Sequence, residues 1–398
     1  MMTKEEILNA AKKWEDFCIA LRRDFHESPE LSGQETQTIA RICTELRAVG
    51  LSPIEVQDGG VLAVIEGDAP GKTVLLRADV DALPVQEDPC NLLRKKECVS
   101  KIPGVSHVCG HDCHAAIGLG TARILSALRD QLHGTVKFLF QPGEEGTKGA
   151  YAMVEKGHLD GVDYFAGTHV APDDKEDDGD ITPGTYGSLA TCKYNVFFHG
   201  QAAHAGGFPE EGKNAVLAAA HAAVGLSGIA RHSQGISRVN VGVIRGGSNS
   251  NVVADEAMIS MEVRGETDEI NQYMDRRAKE ICQAAAMMEE CSCEMRLMGR
   301  APSQVSSPEL IDRISNLVRN HLPQYRVSSN PNAKNWGSED IGFMMNRVQE
   351  QGGQAVYMRT MTKMASPQHT VRFDVDEDVL VKGAVSFSAI VCDLLKKN

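Results

Sequence analysis

Between His107 and Glu145 the sequence concentrates groups able to hold a cation and to move a proton. The run HVCGHDCH supplies the thiol of Cys109, imidazoles at His111 and His114, and the carboxylate of Asp112. The run VKFLFQPGEEG adds the pair Glu144 and Glu145. A thiolate, imidazoles and a carboxylate together suit Zn²⁺, Mn²⁺ or Co²⁺, whereas magnesium and calcium want all-oxygen sets. Cys109-x-His111 alone is a weak signal; it gains weight from two glutamates at the end of a strand-like run, Val136 to Phe140. Adjacent glutamates at a strand end point in different directions, so one can ligate while its neighbour moves protons. Water on a divalent cation ionises near pH ~7, and a carboxylate in reach takes its proton. The plainer alternative is that the pair opens the next helix, where acidic residues favour the helix dipole.

A second set sits at Arg77-Ala78-Asp79-Val80-Asp81, directly after the apolar run Val74 to Leu76. Two carboxylates and an arginine there either ligate or orient ligands, or close a salt-bridged turn. His26, in RRDFHESPEL, reads as a helix-end histidine, structural or substrate-facing. Cys90 and Cys98 lack metal spacing to Cys109 and are taken as non-ligands.

These groups need a sheet whose strand ends meet at one edge, where open α/β proteins place their sites. Strands are expected at Val61–Ile65, Val74–Leu76, Val136–Phe140 and Val162–Val170, the last carrying His169. Helices are expected over Thr36–Val49 and from Asp112 to near His133, with an amphipathic helix in MMTKEEILNAAKKWEDF. Gln86 to Gly104 lacks periodicity and reads as an irregular cover. After the acidic, Gly/Pro-bearing stretch APDDKEDDGDITPG a new set begins. Strands at Cys192–His199, Ser237–Ile244, Ala257–Val263 and Cys293–Leu297 alternate with helices at Asn214–Ala230 and Glu269–Met288. That β-α-β-β-α-β order predicts a ferredoxin-like α+β domain, four strands with two helices on one face. The fold class is therefore α/β, a discontinuous catalytic domain (1–187 and 299–398) with a mixed sheet flanked by helices, and an inserted domain (188–298).

The 398 residues exceed one ordinary core and fit two domains. A net charge of −13 repels phosphate backbones, so nucleic acid is not an expected partner. The charged N-terminus is unlike a secretory signal, and no apolar run approaches the ~18 residues of a membrane span. Eleven cysteines without framework spacing point to a reducing compartment, and the expected location is cytoplasmic.

The stretches RRDFHESPEL, LLRADVDALP, HVCGHDCHAA, FQPGEEG, THV, AAHAG, NVGVIRGGSNSNVV, GSED and HTVRFD occur in this order along nearly the whole chain. Together they resemble the aminoacylase/carboxypeptidase G metallopeptidase family, in its hippurate-hydrolase-like amidohydrolase branch. The runs SRVNVGVIRGGSNSNVV, DEINQY and RLMG resemble members acting on p-aminobenzoyl-glutamate within a heteromeric enzyme. The resemblance implies two divalent ions, Mn or Zn, bridged by Cys109, with His111 and His169 completing one site and Glu145 and His369 the other. It implies that Glu144 is the general base, that His204 stabilises the oxyanion across a dimer, and that Asn251 and Arg264 hold a substrate carboxylate. The inserted domain would then be a lid and dimerisation domain, in a homodimer or in a heterodimer with a related chain. The substrate would be an N-acyl or N-aroyl amino acid, with p-aminobenzoyl-glutamate-like conjugates favoured. A non-catalytic or regulatory member of a heteromeric hydrolase is the alternative of a different class. Two departures stand out: His369-Thr370-Val371-Arg372-Phe373 replaces a His-Asn/Ser-Pro-x-Phe pattern, and Cys113 stands where the family has glycine. The thiol of Cys113 is either a spectator or a point of oxidation sensitivity.

Overall fold

The computed structural model describes residues 9, 12–56, 60–173, 179–334 and 337–396. The acidic stretch read as a boundary, and most of the expected N-terminal amphipathic helix, lie partly outside these residues. The chain divides into two compact units, 1–186 with 305–335 and 340–398, and 187–304 with 336–339. The second unit runs past the expected limit at 298 because its last strand continues through Ser292–Ala301.

The first unit is built on a seven-stranded mixed sheet. Its order is Ile54–Glu55, Val61–Glu66, His133–Gln141, Ala69–Asp79, Tyr164–Pro172, Gln354–Thr362 and Ile181–Thr182. The four strands from His133–Gln141 to Gln354–Thr362 are parallel; the others join antiparallel. Strands covered on both faces read as continuous apolar runs rather than alternating ones. In VLL, Val74 and Leu76 pack on one face with the helices Thr36–Ala48, His111–Ser126, Pro308–His321 and Asp378–Leu394. Leu75 packs on the other with Gly149–Glu155 and Gly342–Glu350. The chain leaves Ala69–Asp79, pairs next on one side of it with His133–Gln141, then on the other with Tyr164–Pro172. This reversal is the topological switch point at which open sheets leave a crevice.

Helix His111–Ser126 lies in the core because its sequence is mostly small and apolar; a Cβ on Gly118 would come within 2.9 Å of Phe140. Residues 86–104 form neither helix nor strand beyond isolated bridges, as the missing periodicity predicts.

The second unit carries a four-stranded antiparallel sheet in the order Ser237–Gly246, Glu256–Gly265, Ala190–His199, Ser292–Ala301. Helices Ala215–Ser227 and Asp268–Met288 pack with it around a core of Val196, Phe198, Ile259, Val263 and Met274. This is the β-α-β-β-α-β order of a ferredoxin-like domain. All eleven cysteines are unpaired. No helix among the described residues is long and apolar enough to cross a membrane.

Candidate metal centre

The C-terminal ends of three parallel strands deliver side chains to one place. Ala69–Asp79 leads to Asp79 and Asp81, His133–Gln141 leads to Glu144 and Glu145, and Tyr164–Pro172 carries His169. The start of helix His111–Ser126 adds Cys109 and His111 across Gly110, its N-cap at φ +98°. A side chain at Gly110 would face strain from that backbone, and its Cβ would lie 2.4 Å from Val170 Cγ2. The last member, His369, comes from a turn near the C-terminus, 260 positions from Cys109.

The five candidate ligands converge. Cys109 Sγ lies 3.4 Å from His169 Nε2 and 3.2 Å from His369 Nε2. His369 Nε2 is 3.5 Å from Glu145 Oε1. Donor atoms of Cys109, His111 and His169, of Cys109, Glu145 and His369, and of His111, Glu144 and Glu145 each gather within 4.8 Å of one another. The first two sets share the Cys109 thiol, one completed by two imidazole nitrogens and the other by a carboxylate and an imidazole, with Glu144 beside them.

The hydrogen bonds around the cluster leave lone pairs pointing inward. His111 Nδ1 faces the Asp81 carbonyl at 3.0 Å and its carboxylate at 3.1 Å, so Nδ1 carries the proton and Nε2 an unshared pair. His169 Nδ1 likewise donates to the Val170 carbonyl at 2.7 Å, leaving Nε2 toward Cys109. His111 Nε2 and Glu145 Oε1 are buried without a hydrogen-bond partner. Buried polar atoms are rarely left so, and a divalent cation is what such atoms would satisfy. The residues present therefore fit a metal.

The electrostatics agree with that fit. Burial opposes charging of His111, yet Asp79, Cys109 and Asp81 push its pKa well above the usual imidazole range, so the surroundings of this ring favour positive charge. Burial pushes His169 well below it and keeps the ring neutral, as a ligand must be. Burial also pushes the Cys109 thiol well up, so thiolate forms there only beside added positive charge.

A group of second partners holds the cluster in place. Asp81 accepts from His111 with one oxygen and from the Glu145 N–H with the other, at 2.9 Å. Burial opposes its ionisation, but these contacts hold its pKa below the usual range. Asp79 spends its oxygens on Arg77 and His114. His114 Nε2 in turn accepts from the Val170 N–H at 2.9 Å, next to His169. His114 is thereby saturated and braces the strand end that carries His169. Arg77 also reaches Gln141 at 2.8 Å and Asp340 at 3.3 Å. Asp340, the last residue of GSED, accepts from Gln141 and from the Ala150 N–H, and its burial pushes its pKa up to about 6. From the sequence His114 is only one of the cluster's imidazoles and Asp340 only part of the GSED stretch, with no bracing role assigned to either or to Gln141; a polar residue ending an apolar strand is a signal at Gln141.

Glu144 and Glu145 stand in a turn ahead of the helix, which begins only at Gly149, so the pair does not open it. His26 is buried between Asp112 at 2.8 Å and Glu87 at 2.9 Å, a structural place. Cys113 packs in the core, and burial pushes its thiol well above the usual range.

The second unit holds the other three candidates. His204 is exposed, and its Nδ1 accepts from the Gly206 N–H at 3.1 Å, which leaves the ring proton on Nε2. Asn251 is its neighbour across the short pairing of Ala203–His204 with Val252–Val253, where its carbonyl accepts from the Ala205 N–H. Arg264 is half-buried, its fork taken by Glu262 through two bonds of 3.0 Å, with Ser338 Oγ at 3.4 Å.

Comparison with known proteins agrees with this architecture. The chain is 43% identical over 332 residues to the indole-3-acetyl-aspartic acid hydrolase of Enterobacter agglomerans, covering 83% of this chain and 76% of that protein. It is 39% identical over 372 residues to one of the subunits of the p-aminobenzoyl-glutamate hydrolase of Escherichia coli K12, covering 92% and 85%. A crystal structure from Bacillus subtilis, described as a dinuclear metal binding peptidase from the M20 family, superposes with a TM-score of 0.72 at 26% identity over 96% of this chain and 99% of that one. The profile of peptidase family M20/M25/M40 matches residues 75–393. A cluster able to hold metal at the switch point of a mixed sheet, in a chain so widely matched, makes this protein a hydrolase belonging to peptidase family M20/M25/M40.

Proposed function

We propose that the chain hydrolyses the amide bond of N-acyl or N-aroyl amino acids with two divalent ions, Mn²⁺ or Zn²⁺. Cys109, His111 and His169 would hold one ion and Cys109, Glu145 and His369 the other. When bound, the ions lower the pKa of a water and polarise the scissile carbonyl. Glu144 then takes the proton from that water and hands it to the leaving amine nitrogen. The observation that carries the reading is the pair of buried, unpartnered atoms, His111 Nε2 and Glu145 Oε1, in a cluster that also includes Glu144.

Both relatives above are named for amides that join an aromatic acid to an acidic amino acid, aspartate in one and glutamate in the other. That favours conjugates of the same kind here. Nε2–H of His204 is a donor suited to the developing oxyanion, supplied by a second copy of the chain or by a related chain through the inserted domain. Asn251 and Arg264 are assigned to the substrate carboxylate, which would replace Glu262 on the arginine fork.

The purified chain, loaded with Mn²⁺ or Zn²⁺, is to be assayed on p-aminobenzoyl-glutamate, indole-3-acetyl-aspartate, hippurate and acetyl-amino acids. Turnover by the chain alone supports the reading. The E. coli relative is named as one part of an enzyme with several chains, which supports the second reading, a non-catalytic partner of another chain. Two ions bound but no turnover without a companion chain would favour that one.

A further inference from the structure

His369 is poorly held by its own residue. Its side chain is 56% exposed, and its backbone sits at φ +61°, a left-handed conformation uncommon outside glycine, although histidine adopts it more often than most residues. The turn that presents it needs outside support. Part comes from close by: His369 N–H donates to the Val108 carbonyl at 2.8 Å, the Gln368 amide to the Cys109 and Val170 carbonyls, and Phe373 is buried.

The rest comes from the irregular segment after Glu87. Asp88 N–H donates to the Val371 carbonyl at 2.8 Å, and Lys96 Nζ approaches the same oxygen at 3.4 Å. Arg372 Nε meets Asp88 at 3.0 Å, and the Asn91 amide meets Asp374 at 2.7 Å. Lys96 is only 4% exposed, with Nζ 2.7 Å from Glu87 Oε1. Glu87 also accepts from the Ser100 N–H at 2.6 Å and contacts His26 Nε2 at 2.9 Å. His26 Nδ1 then lies 2.8 Å from Asp112, next to His111. A buried line of charge thus runs from the helix start that bears Cys109 and His111 to the turn that bears His369. Lysine is almost never buried unless paired. A buried ion pair adds little net stability, and fixing register is its best-attested use.

We propose that Lys96, seated on Glu87, is a positioning residue that clamps the His369 turn and thereby sets the affinity of the Cys109–Glu145–His369 site for its ion. The inference rests on the two-ion reading above, and the experiment separates the two. The full chain, stripped of metal, is titrated with Mn²⁺ by calorimetry, with bound metal counted by mass spectrometry. Wild type should take up two ions; fewer would overturn the two-ion reading and with it the clamp's premise. Lys96→Met keeps side-chain length and leaves Glu87 with His26 and Ser100. It should retain one ion at wild-type affinity and bind the other ~10–100-fold more weakly. His369→Ala should lose that same ion. Two ions at wild-type affinity in Lys96→Met, or an equal loss of both, would refute the clamp. Should Lys96→Met fail to fold, Lys96→Gln, which keeps a donor beside Glu87 but is too short to reach the Val371 carbonyl as well, carries the test: a selectively weakened ion supports the clamp, and two ions at wild-type affinity refute it.

Discussion

Asp81 supports two candidate ligands at once, which makes Asp81→Asn the most informative single change. One carboxylate oxygen sits 3.1 Å from His111 Nδ1, and the other accepts the Glu145 N–H at 2.9 Å. Asparagine keeps the shape but offers one acceptor oxygen; its NH₂ would face either the His111 N–H or the Glu145 N–H, donor against donor. His111 retains the Asp81 backbone carbonyl at 3.0 Å, so its ring is not released entirely. The expected loss is therefore about one hydrogen bond to a charged group, ~1.5–3 kcal/mol. At ~1.4 kcal/mol per tenfold this weakens metal binding by about 10–100-fold. Mn²⁺ titration against a competing chelator measures it, with circular dichroism and a thermal melt reporting the fold. A folded Asp81→Asn protein that binds metal within about twofold of wild type would refute the reasoning and leave ligand orientation to the backbone alone.

Glu144→Gln should keep its metal content and lose activity by ~10²–10⁴-fold, the usual contribution of a general base; near-normal turnover removes Glu144 from that role. His204→Ala should lower turnover by about 10²–10³-fold without emptying the metal sites, and mixing it with Glu144→Gln should restore partial activity if the histidine acts between copies. Gly110→Ala should destabilise the fold by at least ~1–2 kcal/mol, since it puts a side chain on a left-handed residue facing Val170; an unchanged melting temperature would contradict the close approach. Burial would raise the Glu87 carboxyl, but His26, Lys96 and the Ser100 N–H bring it from 4.5 to about 2. A depressed folded pKa means that this stability is present above pH 4.5 and is lost as pH falls toward about 2, so Glu87→Gln should flatten the acid side of the stability profile across that window.

Short-range pattern was enough to read much of this protein from its sequence. Cys109 and His111 are two positions apart, and the glutamate pair follows an apolar strand, so donor chemistry and strand end are visible together. The β-α-β-β-α-β order of the inserted unit is legible in hydrophobic period for most of its elements, while the alanine-rich helix Ala215–Ser227 is marked by composition, being apolar nearly all round with Leu217 and Val224 exposed. Boundaries were less legible: Ala69–Asp79 extends well before the expected Val74, since GDAPGK reads as a turn whereas its Ala69 and Lys72 pair with His133 and Gly134 on either side of a register shift. What only the tertiary structure decided concerns partners remote in sequence. Nothing local separates His114, saturated by Asp79 and the Val170 N–H, from His111, whose inner nitrogen is left unpartnered. Nor does spacing bring His369 within 3.2 Å of a thiol 260 positions away, or set Lys96 beneath its turn. The sequence determines which donors exist and which strands carry them. Which lone pairs remain for an ion depends on which neighbours consume the rest, and those neighbours are chosen by the packing of the whole sheet.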